Sequence, residues 1–228
     1  MICIFAQIEF SMSILILGLL ALLGYSLFAK GYFQFQPEGK RYEKISHEVQ
    51  DFLKAQQPGL VNFQDDELSL LSANRLKSGK KGWFSQPTEG VLVSIYHEPF
   101  IAYKTVALQP DKHTGVIGIS TSTDQFLYII KKDHTDVFIN KKPYGTINDQ
   151  GKLILVNTKT IAAAYDIKND ETTLVRLNDI PEAEVSRKFV ESTLPRRILD
   201  IYESDMKIDK RVLQAVVFYL IGLGLRQS

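Results

Sequence analysis

The end of the chain carries the feature that most limits its possible folds. In the terminal sequence RVLQAVVFYLIGLGLRQS, the stretch between Arg211 and Arg226 has one polar side chain, Gln214. A helix of about fourteen residues would be about 21 Å long, which is short for a bilayer core about 30 Å thick. Because Val212 to Leu225 leave no polar face, this helix must be buried in protein or in lipid.

Short apolar segments precede this run and predict β-strands. From about residue 88 they are rich in Val, Ile, Tyr, Phe and Thr, and polar connections such as QPDKHT, KKDHT and NDQG separate them. The pattern indicates eight or nine strands, and this spacing is typical of an antiparallel sandwich or barrel rather than alternating βα units. Two later segments are less regular: PEAEVSRKFVES predicts a short helix, and RRILDIYE predicts either strand or helix.

The two features together predict a mainly β fold with helices. Strands must bury one face, so we expect an antiparallel sheet or barrel that encloses the C-terminal hydrophobic helix. Two alternatives stay open for the terminal run. It could be a second membrane span, or a last pair of core strands, since AVVFYLI is rich in residues that favour strands.

A second apolar segment lies near the start of the chain. No residue from Phe10 to Ala29 is charged, and about twenty helical residues span roughly 30 Å, the thickness of the hydrocarbon core. We therefore predict a retained transmembrane helix. A cleaved signal peptide would need a basic region before the apolar run, and nothing before Phe10 is basic. A buried helix of a soluble domain is the remaining alternative.

The flanking charges predict the orientation of this span. Glu9 is the only charged residue before it, whereas Lys30, Lys40, Arg41 and Lys44 follow it. The positive-inside rule then places the rest of the chain in the cytoplasm, as the C-terminal domain of a single-pass membrane protein.

Three segments follow from these patterns. Residues 1–30 form the transmembrane segment, 31–59 a juxtamembrane linker with an amphipathic helix, and 60–228 the β-rich domain. The helix is predicted from the i, i+4, i+7, i+8 spacing of Ile45, Val49, Phe52 and Leu53.

The sequence has no pattern that indicates catalysis. The four histidines are scattered without metal-ligand spacing, and the single cysteine, Cys3, lies before the first apolar run. His97 and Glu98 precede Pro99 in a predicted β-turn, where a surface pair is the simpler interpretation. We therefore expect a protein that is not an enzyme, with no catalytic residue, metal site or cofactor. The net charge of +1 argues against a nucleic-acid partner.

One basic and aromatic segment is a candidate binding surface. The sequence RLKSGKKGWF contains no acid and supplies the candidate residues Arg75, Lys77, Lys80, Lys81 and Trp83. Lys and Arg near an anionic leaflet contribute about 1 kcal/mol each, and Trp favours the interface. The alternative is a solvated loop with Trp83 in the core. A second basic set occupies what we interpret as adjacent loop ends, and its members are Lys131, Lys132, Lys141 and Lys142.

Two segments resemble a known superfamily. They are DVFINKKPYGTINDQGKLI, from Asp136 to Ile154, and the terminal DKRVLQAVVFYLIGLGL. Both are similar to segments of the tubby-like barrel superfamily, which includes tubby C-terminal domains, LURP-one-related proteins and phospholipid scramblases. The resemblance covers roughly residue 60 to the end, and it implies a barrel of a dozen strands around a C-terminal hydrophobic helix. The phosphoinositide-binding basic pattern of animal tubby proteins has no match here, so no binding residue is carried over.

These inferences predict a membrane-anchored, non-enzymatic β-domain. It would act as a binding module for lipid headgroups or for a partner protein. The alternative is a structural subunit of a membrane complex, in which both hydrophobic ends of the chain are inserted.

Overall fold

The computed structural model describes residues 38–64, 66–78, 88–109, 114–187, 195–202 and 210–227. Residues Lys44–Ser228 form one compact unit, and the residues before Lys44 form another. The predicted transmembrane helix from Phe10 to Ala29 lies outside the described residues. Within the described ranges, no helix is both long enough and apolar enough to cross a membrane.

The described residues contain two α-helices, two short 3-10 helices and twelve strands. Helix α1 spans Glu38–Gln56 and α2 spans Lys210–Gln227, while the 3-10 helices span Gln57–Gly59 and Asp66–Leu70. The strands are β1 Leu71–Ser78, β2 Thr88–Ser94, β3 Pro99–Gln109, β4 Thr114–Ser120, β5 Gln125–Ile130, β6 His134–Ile139, β7 Lys142–Asn148, β8 Lys152–Leu155, β9 Ile161–Ile167, β10 Thr172–Leu177, β11 Ile180–Ser186 and β12 Leu199–Ile201.

The strands form one antiparallel sheet in sequence order, from β1 to β12. The two edges meet where Ser72 bridges Arg197 and the amide of Ile198 donates to the carbonyl of Leu71 at 3.0 Å. The sheet is therefore a nearly closed barrel. We call the end where the odd-numbered strands finish the upper end, and the end where they begin the lower end.

Helix α2 fills the barrel. It contacts β3, β4 and β5 on one side and β9, β10 and β11 on the other. Residues around its circumference are buried, among them Val212, Val216, Phe218 and Ile221. The predicted mainly β, antiparallel barrel with a C-terminal helix is thus confirmed.

Specific contacts fix the position of α2. Phe218 meets Phe126 of β5 edge to face, with ring centroids 4.9 Å apart. A Cβ on Gly222 would lie 2.4 Å from a methyl carbon of Ile117 on β4, so only glycine allows this approach of helix to strand. Arg226, in the last turn, donates to the carbonyl of Thr114 at 2.9 Å and holds the end of the helix at the upper end.

The strand count is higher than the eight or nine predicted. Residues Ile180–Ser186 are β11, so the short helix predicted from PEAEVSRKFVES is wrong for this part of the segment. Pairing with β10 makes this segment a strand rather than a helix, because Ala183 and Val185 then both lie in the core. Strand β1 was not predicted, because polar and basic residues interrupt the apolar ones on both faces of its sequence LSANRLKS.

Helix α1 packs on the outer face of the barrel. Val49 and Leu53 are fully buried, and a Cβ on Gly118 would lie 2.2 Å from a methyl carbon of Val49. Lys104 of β3 lies beneath the same helix and is only 7% exposed. Its ammonium is 3.3 Å from Glu48 and 3.1 Å from Glu89, so two carboxylates balance this buried charge.

Candidate binding clefts at the two ends of the barrel

The structure describes two of the five predicted site residues, Arg75 and Lys77. Arg75 lies in β1 opposite Leu92, a core residue, and its guanidinium lies 5.9 Å from the ring centroid of Tyr103. Lys77 also lies in β1, opposite Val91. Lys80, Lys81 and Trp83 lie outside the described residues, so their joint role in binding stays a prediction.

The position of the predicted basic segment along the barrel is nevertheless defined by its flanks. Residues 79–87 join Ser78, the last residue of β1, to Thr88, the first residue of β2. Both of these residues lie at the upper end, so the segment leaves and re-enters the sheet there.

The second basic set is not one patch. Lys131 and Lys132 follow β5 at the upper end, whereas Lys141 and Lys142 form the β6–β7 turn at the lower end. The six residues of β6 separate the two pairs by about 20 Å, at 3.3 Å per residue. The interpretation as adjacent loop ends is therefore wrong.

The upper end carries an apolar cleft of about 130 Å³ between the barrel wall and the last turns of α2. We call it the upper cleft. Its apolar lining comes from β9, β11 and the helix, and comprises Tyr165, Ile167, Val185, Leu220, Leu223 and Gly224. Ile167, the last residue of β9, is 63% exposed. The cleft exists because small Gly224 and partly buried Leu223 leave a gap against β9 to β11.

Polar groups line the rest of the upper cleft. Thr173, Ser186 and Arg187 belong to its lining. Arg187 donates from Nη1 to the carbonyl of Asn169 at 3.5 Å. These residues are scattered over separate strands, and no local sequence pattern joins them, which is why sequence reasoning missed the cleft.

An ion-paired cluster lies on β11 and its neighbours. Glu184 accepts hydrogen bonds from the hydroxyl of Tyr202 at 2.8 Å and from the ammonium of Lys168 at 3.1 Å. The hydrogen bond from Tyr202, followed by those from Thr172 and Lys168, lowers the pKa of the Glu184 carboxyl. The bond to Glu184 in turn raises the pKa of Lys168. Lys168 therefore stays charged, but its charge is already paired.

The lower end carries a polar cleft of about 240 Å³ at the start of α2. Its lining residues are Phe63, Thr121, Ser122, Thr123, Asp124, Lys210, Arg211 and Gln214. The cleft has mixed charge, because Arg211 lies 3.9 Å from Asp124, which also accepts a 2.6 Å hydrogen bond from Asn140. The hydroxyls of the β4–β5 turn are largely occupied within the turn itself.

The interior of the barrel is occupied by side chains. The hydroxyl of Tyr128 donates to the carbonyl of Ala215 at 2.8 Å, and the hydroxyl of Tyr219 lies 3.3 Å from the hydroxyl of Thr135. Burial raises the pKa values of Tyr128, Tyr165 and Tyr219. The hydroxyls of these tyrosines form hydrogen bonds inside an otherwise apolar core, and these bonds fix the position of α2 relative to the strands.

One further titratable cluster lies on the β5–β6 hairpin at the upper end. His134 lies 2.9 Å from Asp133 through Nδ1 and 3.4 Å from Asp136 through Nε2. Backbone hydrogen bonding lowers the pKa of exposed Asp133, and His134 contributes to this shift. Within the described parts of the chain, no group of three or more His, Cys, Asp or Glu side chains could hold a metal ion.

Comparisons with protein-family models, with curated proteins and with solved structures found no match to this chain.

Proposed function

We propose that this chain is a membrane-anchored, non-enzymatic binding module whose barrel recognises lipid headgroups, with a protein partner as the second candidate. In this proposal the apolar segment from Phe10 to Ala29 is the single transmembrane anchor, and the barrel lies in the cytoplasm. The basic segment with Lys77, Lys80, Lys81 and Trp83 contacts the membrane surface, while Arg75 stays in β1 beside Tyr103. No cofactor, metal or nucleic acid takes part.

The observation that carries the proposal is the direction of α1. Val49 and Leu53 pack against Gly118 in the middle of β4, and four residues later Gln57 donates to the carbonyl of Ser122 at 3.2 Å, at the lower end. Helix α1 therefore runs from the upper end towards the lower end. The chain enters this unit at the upper end, which is also the end where residues 79–87 leave the sheet.

The packing of α2 favours this proposal over a structural subunit with both hydrophobic ends in the membrane. The residues of α2 that would face lipid in a second span, such as Val216, Phe218 and Ile221, are fully buried against strands. We also propose membership of the tubby-like superfamily. Twelve antiparallel strands around a C-terminal helix is the architecture that the sequence resemblance implies.

Vesicle binding tests the proposal. A chain beginning at Glu38 keeps α1 but lacks the predicted anchor, and we expect it to bind vesicles that contain phosphatidylserine and not neutral vesicles. Changing Lys77, Lys80 and Lys81 to Gln should weaken this binding, more strongly at low salt, because counter-ions screen surface charges.

The matched control removes three lysines from the opposite end. Changing Lys141, Lys142 and Lys159 to Gln alters the net charge equally but should leave vesicle binding nearly unchanged. Equal weakening by both triple variants would contradict a defined upper surface. Unchanged binding in the upper variant would exclude the basic segment as the contact.

A further inference from the structure

We propose that the upper cleft takes the first carbons of an acyl chain, next to its glycerol ester, from a bilayer phospholipid, with Arg187 beside the phosphate of the same lipid. This inference rests on the proposed membrane anchoring and names a ligand and a site for it. It concerns the described residues of α2 and β9 to β11, not the basic segment between β1 and β2.

The size and lining of the cleft select the class of ligand. At about 130 Å³ it is well below the roughly 300–1,000 Å³ of sites that enclose a small-molecule ligand. It can therefore hold only a short part of a longer ligand. Its walls include Val185, Leu220 and Leu223, with Gly224 at the helix surface, so the inserted part must be apolar.

The position of the cleft favours a ligand that comes from the bilayer. The cleft lies at the end where β9 and β11 finish, and α1 runs away from that end between Val49 and Gln57. In the proposed anchoring, this end of the barrel faces the bilayer. Ile167 is 63% exposed at this end, and contact with lipid would remove its side chain from water.

Arg187 supplies a positive charge that can bind the phosphate of a phospholipid. Among the described residues its guanidinium has one acceptor, the carbonyl of Asn169, and the contact is long at 3.5 Å. A guanidinium has five N–H donors in a planar fork that matches a phosphate. Lys168 is less available, because Glu184 already pairs with it. Arg187 lines the same cleft as the apolar wall, so one lipid can meet both.

Two positions on one strand allow a matched test in the full-length chain. In a Cys3→Ser background reconstituted into phospholipid nanodiscs, single cysteines replace Ile167 or Ile161 and carry an environment-sensitive nitrobenzoxadiazole label. Both isoleucines are exposed, at 63% and 53%, but they lie at opposite ends of β9. We expect nitroxide-labelled lipid to quench the label at position 167 several-fold more than the label at 161.

A photoreactive lipid then tests the cleft itself. Phosphatidylserine with a diazirine close to the ester of one acyl chain should label peptides of α2 around Leu220–Gly224 and of β11 around Val185. The Arg187→Gln variant should reduce this labelling several-fold while the quenching at position 167 persists.

The outcomes separate this inference from the function on which it rests. Equal quenching at positions 167 and 161 would show that the upper end does not face the bilayer, and the proposed orientation would fail together with the inference. Strong quenching at 167 without labelling of α2 or β11 would overturn the acyl-chain site alone. Labelling that is confined to the loop Lys168–Glu171 would also overturn it, because only the surface would then touch lipid.

Discussion

At the scale of single residues, Lys104 shows how a charge is tolerated beneath a helix. Its ammonium is shared between Glu48 of α1 and Glu89 of β2, and it lies 5.2 Å from the ring centroid of Phe52. The long aliphatic part of the side chain packs like an apolar residue, while the two carboxylates offset the desolvation of the charge.

This arrangement predicts that removing the two carboxylate charges lowers the stability more than removing the lysine charge. The double change Glu48→Gln and Glu89→Gln leaves the Lys104 charge buried without balance, and it should lower the free energy of unfolding by about 2–3 kcal/mol. Both carboxylates are partly exposed, which keeps this figure below that of a fully enclosed pair. Lys104→Met removes the charge but keeps the packing, so it should change the stability by less than about 1 kcal/mol.

Urea unfolding measures both effects. Asp51→Asn, at an exposed position of α1, is the control and should stay within about 0.5 kcal/mol of the unmodified chain. A larger loss for Lys104→Met than for the double variant would contradict the account of this ion cluster.

The packing environment of some individual residues was predictable from the sequence, and that of others was not. The sequence GLG within the terminal run indicates close packing, and Gly222 does pack against Ile117. Arg75 was predicted on a binding loop, but it lies in β1 with its guanidinium over Tyr103. An arginine in a polar segment gives no signal that an aromatic ring from β3 will lie beside it.

At the scale of elements, α2 is the part of the core that sequence reasoning located best. Its length and lack of a polar face limited it to three arrangements, and the preceding strands favoured the one observed. By contrast, β11 was missed because IPEAEVS contains two glutamates and a proline. Its strand conformation depends on pairing with β10 and β12, which no local pattern records.

The tyrosines around α2 predict a loss of stability at high pH. Burial raises the pKa of Tyr128, Tyr165 and Tyr219, whereas the unfolded chain ionises these groups near pH 10. The folded state therefore keeps protons that the unfolded state releases. The stability is fully present below about pH 10 and should fall above it by about 1.4 kcal/mol per pH unit for each tyrosine.

Urea unfolding followed by circular dichroism between pH 8 and pH 11 checks this expectation. Tyr165→Phe should reduce the slope above pH 10, because one of the phenols with a raised pKa is removed. Tyr96→Phe, at an exposed position in the β2–β3 turn, should leave the slope unchanged. A slope that is insensitive to Tyr165→Phe would exclude this phenol from the linkage.

At the scale of the whole molecule, closure of the barrel depends on few contacts. Strand β12 has three residues, and the two residues before it contact β1 through the Ser72–Arg197 bridge and the hydrogen bond from Ile198 to Leu71. The sequence indicated the mainly β class and the terminal helix, because both depend on local periodicity. The strand pattern did not decide between an open sheet and a closed barrel, because closure depends on pairing between residues more than a hundred positions apart.

The central claim is that α2 is the core of the barrel and not a second membrane span, and disulfide cross-linking in the full-length chain tests it most directly. A Cβ on Gly222 would lie 3.5 Å from the Cβ of Ile117, within the range of about 3.5–4.5 Å that a disulfide needs. We therefore expect Gly222→Cys and Ile117→Cys, in a Cys3→Ser background in membranes, to cross-link rapidly under mild oxidation.

The pair Gly222→Cys and Val156→Cys is the control, because Val156 lies exposed at the lower end, beyond β8, while Gly222 is near the upper end. It should not form an intramolecular disulfide. Rapid cross-linking of the first pair alone is the result that the account predicts. If the first pair fails to cross-link while a cysteine at position 222 reacts with a lipid-soluble thiol reagent, α2 lies in the bilayer and the barrel described here is wrong.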